Sequence, residues 1–107
     1  MIFPMNTPMF DLLVLSITEK EDAYGYQISQ IIKRVSNKKD STLYPVLRRL
    51  QEQGFLTAYD QSFQGRNRRY YRITETGRRQ YQLLSEEWNA YRTAVDQIVK
   101  TGGMQDE

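Results

Sequence analysis

The fold is decided by residues 40–73, which read DSTLYPVLRRLQEQGFLTAYDQSFQGRNRRYYRI. The apolar residues in the first third of this segment recur at helical spacing, and Asp40 or Ser41 is the expected helix cap. Proline is tolerated only near the start of a helix, so Pro45 places that start close to the cap. Gly54 is a natural stop, because glycine readily adopts the left-handed conformation that ends helices.

The rest of the segment changes to the periodicity of strands. Residues 55–60 and 69–73 predict two strands, the second rich in tyrosine. The polar residues 61–68 between them contain Gly65 and predict a loop. The segment therefore predicts a helix followed by a hairpin with a basic tip.

Helical patterns lie on both sides of this segment. Residues 8–20 and 24–35 predict two helices, the second with an apolar stripe that ends at Val35. Thr74 is the expected cap of a long last helix that reaches about Lys100. Three helices, a hairpin and a long helix predict a mainly α fold with a small β-hairpin, the winged helix-turn-helix. The predicted parts are an N-terminal extension at 1–7, the winged helix-turn-helix at 8–73, a dimerisation helix at 74–100 and a disordered tail at 101–107.

The positive charge is concentrated in the middle of the chain. Between Lys33 and Arg79, twelve Lys and Arg residues face four Asp and Glu residues, a balance of +8. The other segments carry three basic and nine acidic residues, a balance of −6, and the two balances give the net +2. Such a division favours a face that binds a polyanion, although a solvated basic surface has the same composition.

Composition also excludes several classes of function. The 107 residues allow one compact domain and contain no cysteine and no histidine. Disulfides, thiol nucleophiles, imidazole bases and the usual zinc ligands are therefore absent, and we expect no enzyme, no cofactor and no metal. The apolar residues 1–17 lack a basic start and contain Pro4, Pro8 and Asp11, which fits neither a signal peptide nor a membrane span. We expect a cytoplasmic protein, whose translation starts at Met1 or at Met5.

The candidate DNA contacts lie on the predicted third helix and the hairpin. In a helix-turn-helix the second helix enters the major groove, and its first residues meet base edges and phosphates. Arginines near a hairpin turn lie along the DNA backbone or in the minor groove. A solubilising amphipathic helix is the alternative for the helix alone, but a second basic element close by favours DNA. The predicted contacts are Lys38, Lys39, Ser41, Thr42, Tyr44, Pro45, Arg48, Arg49, Arg66, Arg68 and Arg69.

The last helix carries an apolar seam with heptad spacing. So small a domain cannot cover the whole seam, which predicts a homodimer. Aromatic residues at such an interface pack together or hold a small planar aromatic effector, and both readings stay open. The predicted interface or effector residues are Phe10 and Leu13 on the first helix, and Tyr81, Leu84, Trp88, Tyr91, Val95 and Ile98 on the last.

Three motifs resemble the PadR family of bacterial transcriptional regulators. They are YGYQI at 24–28, STLYPVLRRL at 41–50 and GRNRRYYRIT at 65–74, in the family's order within a match over about 8–98. The single C-terminal helix is similar to the short subfamily. The resemblance implies a repressor that dimerises through its first and last helices and, in some members, is released by a small molecule. It also implies that Thr42, Tyr44 and the hairpin arginines lie at the DNA and that Trp88 faces a flat pore between subunits.

One other class of function fits the predicted fold. A winged helix also serves as a protein-protein interaction module, whose exposed helix binds another protein. The basic balance between Lys33 and Arg79 favours DNA over this alternative. Salt distinguishes the two, because phosphate contacts weaken steeply with ionic strength.

Overall fold

The computed structural model describes residue 3 and residues 5–104 of the chain. Parts of the predicted extension and tail, residues 1, 2, 4 and 105–107, lie outside the described residues. A mainly α fold with a small antiparallel sheet confirms the predicted class. The elements are α1 (Thr7–Lys20), β1 (Ala23–Tyr24), α2 (Gly25–Ile32), α3 (Asp40–Glu52), β2 (Leu56–Phe63), β3 (Arg66–Ile73) and α4 (Glu75–Thr101).

Helix α1 begins one residue earlier than predicted. The Asn6 side chain caps it by accepting a hydrogen bond from the Met9 amide at 3.1 Å, and Pro8 lies in the first turn, where its missing N–H is harmless. Within the described part of the chain, no helix is both long and apolar enough to cross a membrane.

Helix α2 is shorter than predicted, because the chain tightens after Ile32. The amide of Val35 donates to the Ile32 carbonyl at 3.0 Å, in a turn rather than in a continuing α-helix. Val35 is consequently exposed, and Ser36 takes the buried position that the apolar stripe predicted for Val35. The Ser36 hydroxyl accepts a hydrogen bond from the Lys38 amide at 3.1 Å, which shapes the turn into α3.

Helix α3 begins at Asp40, close to the predicted start, but neither Asp40 nor Ser41 is its cap. Lys39 is the N-cap residue and supplies no side-chain hydrogen bond. The Asp40 carboxylate instead accepts hydrogen bonds from Ser29 and Lys33 of the preceding helix region, the latter at 3.1 Å. Pro45 lies inside the helix, one turn later than the expected position, so the helix lacks one amide donor there.

The predicted loop over 61–68 is wrong, since both strands continue through it. Strands β2 and β3 pair from Leu56 with Ile73 to Phe63 with Arg66. The turn is only Gln64 and Gly65, with φ of 51° and 78°, and two positive values are what a tight hairpin needs to match the twist of its strands. Local composition predicted a loop because the strand ends are polar and exposed.

The sheet contains one strand that the sequence did not predict. Strand β1 is two residues long and pairs antiparallel with β3, which gives the order β1-β3-β2. Ala23 faces Tyr71, and Tyr24 faces Tyr70. This short pairing anchors the start of α2 to the hairpin.

One core joins the first three helices to the inner face of the sheet. Each helix contributes one apolar stripe, and the strands contribute alternate residues from their bases, as expected for a sheet with one face covered. The buried core residues are Phe10, Val14, Leu15, Ala23, Ile28, Ile32, Leu43, Leu47, Leu50, Leu56, Tyr71 and Ile73.

The start of α4 packs very closely against this core. The Thr74 side chain donates to the Gly54 carbonyl at 2.6 Å and accepts from the Gly77 amide at 2.9 Å, which confirms its predicted role as cap. Gly77 lies so near the chain at Phe55 that a Cβ atom there would be 2.2 Å from the Phe55 oxygen. We call the core elements together with α4 as far as Leu84 the head. Beyond residue 85, every residue of α4 is exposed.

Candidate nucleic-acid interface

Helix α3 and the hairpin meet at one cleft of about 610 Å³, which we call the wing cleft. Tyr44 of α3 lies on one side of it and packs over the start of α2, where its Cε1 would be 3.4 Å from a Cβ at Gly25. Arg66, Arg68 and Arg69 of β3, which we call the wing arginines, also line the cleft. The residues that line the cleft are Tyr24, Gly25, Tyr26, Tyr44, Arg66, Asn67, Arg68, Arg69 and Tyr71.

Most of the candidate residues at the start of α3 face solvent. The uncapped first turn leaves backbone N–H groups without side-chain partners, and helix N-termini with free N–H groups attract phosphates. Tyr44 is 48% exposed despite its contact with α2. The exposed candidates are Lys38, Lys39, Ser41, Tyr44, Pro45 and Arg48, and Thr42 is half-buried.

Arg49 differs from Arg48 in its surroundings. Both of its terminal nitrogens donate to the Asp11 carboxylate of α1, Nη1 to Oδ2 at 3.2 Å, and Nη1 also donates to Gln53. Such two-pronged pairing is the strongest geometry available to an arginine. Arg49 was predicted to contact DNA, but the structure commits its guanidinium to joining α3 to α1.

The four arginines of β3 also have separate surroundings. Arg66 and Arg69 are exposed, and Arg69 lies 3.8 Å from Asp60 on the neighbouring strand. The Arg68 guanidinium lies over the rings of Tyr24 and Phe63. The sequence therefore identified a basic hairpin, but it gave no way to separate the tasks of its arginines.

A polar cluster fixes the base of the hairpin. Arg72 Nε donates to Asp22 Oδ2 at 3.0 Å, and the Tyr59 hydroxyl donates to the same oxygen at 2.7 Å. Burial disfavours the charged form of Asp22, but these two hydrogen bonds outweigh it and lower the pKa of the carboxyl. The cluster holds the hairpin against the loop between α1 and β1.

A second polar cluster joins the two helices of the helix-turn-helix. Hydrogen bonds from Ser29 and from Lys33 lower the pKa of the Asp40 carboxyl. The first residue of α3 is thereby tied to α2, which sets the direction in which α3 leaves the turn. Among the described residues, no cluster of three or more acidic side chains is arranged to hold a metal ion.

A family model described as the transcriptional regulator PadR-like family matches residues 14–83. The chain belongs to this family. It is a transcriptional regulator, and its family consists of DNA-binding regulators rather than enzymes.

Solved structures agree with this assignment. The chain is 40% identical to smu.1704 of Streptococcus mutans, with a TM-score of 0.92 over 99% of this chain and 100% of that one. A PadR family transcription regulator of Clostridium difficile is 29% identical, with a TM-score of 0.76 over 84% of this chain and 97% of that one. PadR of Bacillus subtilis, 23% identical, shares the fold with a TM-score of 0.62 over 67% of this chain and 44% of that one.

The regulator has a second concave surface, a groove of about 920 Å³ between α1 and α4. Trp88 and Tyr91 form its aromatic wall, with ring centroids 6.3 Å apart. We call it the α1–α4 groove. Its lining residues are Phe3, Asn6, Pro8, Met9, Leu12, Leu84, Glu87, Trp88, Tyr91, Arg92, Val95 and Asp96.

Only some of the predicted interface or effector residues line the α1–α4 groove. Leu84, Trp88, Tyr91 and Val95 line it. Phe10 belongs to the core instead, because the α1 face that carries it turns toward the head. Leu13 and Tyr81 pack against the same core, and Ile98 lies beyond the groove and is 60% exposed.

Sequence reasoning missed several residues of both surfaces. Met9 and Leu12 line the α1–α4 groove, and the signal was available, because Leu12 lies off the apolar face that the other residues of α1 share. Tyr26 lines the wing cleft and is 61% exposed, which is unusual for so large a ring at the start of a helix. Asn67 joins it there only because β3 extends farther than predicted.

Proposed function

We propose that this regulator is a cytoplasmic repressor that binds palindromic operator DNA as a homodimer. The observation that carries the proposal is the wing cleft, where Tyr44 of α3 and the wing arginines share one surface. Helix α3 would enter the major groove, and the hairpin would follow the adjacent backbone. The PadR of Bacillus subtilis, whose fold the chain shares, forms a complex with operator DNA.

The proposed contacts are the exposed and half-buried candidates, with the exception of Arg49. Arg48 would reach a guanine edge or a phosphate, and Tyr44 and the hydroxyls before it would donate to phosphates. Arg49 is left out because Asp11 already occupies it. The proposed DNA-binding set is Lys38, Lys39, Ser41, Thr42, Tyr44, Pro45, Arg48, Arg66, Arg68 and Arg69.

The far half of α4 supports the homodimer. Its side of Tyr91, Val95 and Ile98 is apolar and exposed, at 66%, 39% and 60% respectively. Apolar side chains in a row along a helix that leaves the head are the pattern of a helix whose partner belongs to a second copy. Two copies would present two α3 helices to a palindrome, which doubles the DNA contacts.

The α1–α4 groove supports a small planar aromatic effector. A flat ring would stack on Trp88 or Tyr91, and the apolar residues of α1 would cover its other face. Because α1 also contacts α3, a ligand that moves α1 against α4 would change the distance between the two α3 helices of a dimer.

The DNA test compares single substitutions by fluorescence anisotropy on a duplex from the promoter of the regulator's own gene. We expect Arg48→Ala and Tyr44→Ala each to weaken binding by about 1–3 kcal/mol. Arg79→Ala is the matched control, because it removes an exposed charge from α4 outside both the wing cleft and the α1–α4 groove. Unchanged affinity in both α3 variants would contradict the assignment of α3 as the recognition helix.

Salt separates this proposal from a protein-binding winged helix. We expect the affinity for the duplex to fall steeply as ionic strength rises, because each phosphate contact releases counterions. A salt-insensitive complex with another protein, together with no DNA binding at low salt, would favour the interaction module.

The effector test uses the single tryptophan as a reporter. Planar drugs and phenolic acids that enter the α1–α4 groove are expected to quench Trp88 fluorescence, and Trp88→Ala should weaken them far more than it weakens DNA binding. Absence of quenching across such a panel would remove the effector from the proposal and leave the DNA function intact.

A further inference from the structure

Arg68 is set apart from the other wing arginines by two aromatic rings. Its guanidinium carbon lies 3.9 Å from the centroid of Phe63 and 4.3 Å from that of Tyr24. Among residues 3 and 5–104, no ion pair and no side-chain hydrogen bond involves Arg68. A guanidinium that is held by ring contacts and not by an ion pair or a hydrogen bond keeps its N–H groups available to donate.

The neighbouring arginines lack this combination. Arg72 donates hydrogen bonds to the Asp22 carboxylate. The Asp60 carboxylate lies close enough to Arg69 to offset part of its charge. Arg66 has no partner in the described part of the chain, but it also has no ring to hold it. Arg68 alone combines a full positive charge with a held position.

Tyr24, one of the two rings over which Arg68 lies, is itself fixed to the head. Tyr24 precedes α2 and meets Tyr70 edge to face at 5.5 Å, and Tyr70 stacks on Tyr59 at 5.5 Å. Tyr59 in turn donates its hydroxyl to Asp22. The position of Arg68 is thus set by a continuous row of aromatic contacts that runs from the hairpin tip to the base of the sheet.

We propose that Arg68 is a preformed fork for one backbone phosphate of the DNA, held in its binding position before DNA arrives. A guanidinium can donate two parallel N–H groups to a phosphate, and prior ordering removes much of the side-chain entropy that binding otherwise loses. Lysine offers a point charge and no planar fork. This inference rests on the proposed DNA-binding function and assigns Phe63 and Tyr24 as positioning residues.

The test compares two substitutions that both keep the charge. Arg68→Lys removes the planar fork, and Arg66→Lys is its matched control on the same face of the same strand. Affinities are measured by anisotropy on the promoter duplex and on a shuffled duplex of equal length and composition. We expect Arg68→Lys to weaken binding to both duplexes by about tenfold, and Arg66→Lys by less than about twofold.

Phe63→Leu tests the positioning role without changing any charge. We expect it to weaken binding to both duplexes by about threefold, with an unchanged slope of log affinity against log salt, because the number of phosphate contacts stays the same. Arg68→Ala should lower the magnitude of that slope by about one. Thermal melts by circular dichroism show that each variant remains folded at the assay temperature.

Each of the following results would overturn the proposed role of Arg68. If Arg68→Lys, like Arg66→Lys, weakened binding by less than about twofold, charge alone would count and the fork would be overturned. Equal tenfold losses in both variants would show that the two rings give Arg68 no advantage over Arg66 and would overturn its preformed position. A loss confined to the promoter duplex would indicate a base contact and would overturn the phosphate assignment. If the unaltered chain bound neither duplex at low salt, the proposed DNA-binding function would be wrong, and the phosphate-binding role of Arg68 would be wrong with it.

Discussion

The head and the far half of α4 are built on opposite principles. Core side chains of the head such as Leu15, Ile28 and Leu50 are fully buried within a single chain. Beyond residue 85, by contrast, α4 buries none of its side chains, although Trp88, Val95 and Ile98 are as apolar as the core. The chain measures 65 Å along its longest axis and only 29 and 20 Å along the others.

This contrast shows that apolar spacing alone does not tell where a residue is buried. The same spacing that packs α3 into the head leaves the end of α4 open, because burial depends on which neighbours the tertiary fold supplies. The head buries its core within one chain, whereas the far half of α4 gains further burial only if a second molecule covers it. The predictions below test the two halves separately.

The largest expected difference compares a core leucine with an exposed isoleucine. Leu47 is 1% exposed, so Leu47→Ala should lower the free energy of unfolding by about 2–5 kcal/mol through lost burial and a cavity. Ile98→Ala should instead weaken the proposed dimer, as measured by analytical ultracentrifugation across a range of concentrations. Unchanged association in Ile98→Ala would contradict the proposal that a second copy covers the far half of α4.

The start of α4, where that helix packs against the core of the head, gives the next effect. In Gly77→Ala the new Cβ would lie 2.2 Å from the Phe55 oxygen and 2.8 Å from Ile73 Cγ1. Alanine favours a helix by about 1 kcal/mol over glycine, but relief of this overlap should reverse the sign and lower the free energy of unfolding by up to about 3 kcal/mol. Urea unfolding measures it. Gly25→Ala is the control, because the nearest contact of its new Cβ is an ordinary 3.4 Å. An equal loss of stability in Gly25→Ala would contradict the close packing proposed as the cause at Gly77.

The stability that Asp22 contributes to the head should depend on pH. Because the folded-state pKa of Asp22 is lowered, its contribution to stability is present above its unfolded pKa of about 4 and is lost as pH falls through the folded value. The thermal midpoint of the unaltered protein should therefore drop more steeply between about pH 5 and pH 2 than that of Asp22→Asn. Identical slopes in the two proteins would show that Tyr59 and Arg72 do not stabilise the charged carboxylate.

The smallest effect is expected at the hairpin turn. Gln64 has a φ of 51°, a region in which asparagine is more frequent than glutamine. Gln64→Asn should raise the free energy of unfolding by less than about 0.5 kcal/mol, whereas Gly65→Ala at φ 78° should lower it by about 1 kcal/mol. Denaturant titration of both variants checks the pair, and a destabilised Gln64→Asn would count against the positive φ.

The sequence by itself determined the order of the elements and the class of fold. Helical spacing, the stop at Gly54 and the cap at Thr74 are local signals, and the helices and strands that they predict are present, with boundaries that shift where turns or pairing intervene. It also determined that the hairpin is basic and that the last helix carries an apolar seam. The two-residue turn and strand β1 were beyond its reach, because strand pairing joins residues far apart in the chain.

Only the tertiary structure decided what the individual residues do. Arg48 and Arg49 are neighbours in sequence, yet Arg48 is exposed and Arg49 is bound to Asp11, 38 positions away. Arg66 and Arg68 lie on one strand face, yet only Arg68 meets two rings. Consecutive residues of a helix point about 100° apart, and the surroundings of each depend on how distant segments pack. No local pattern in the sequence contains that information.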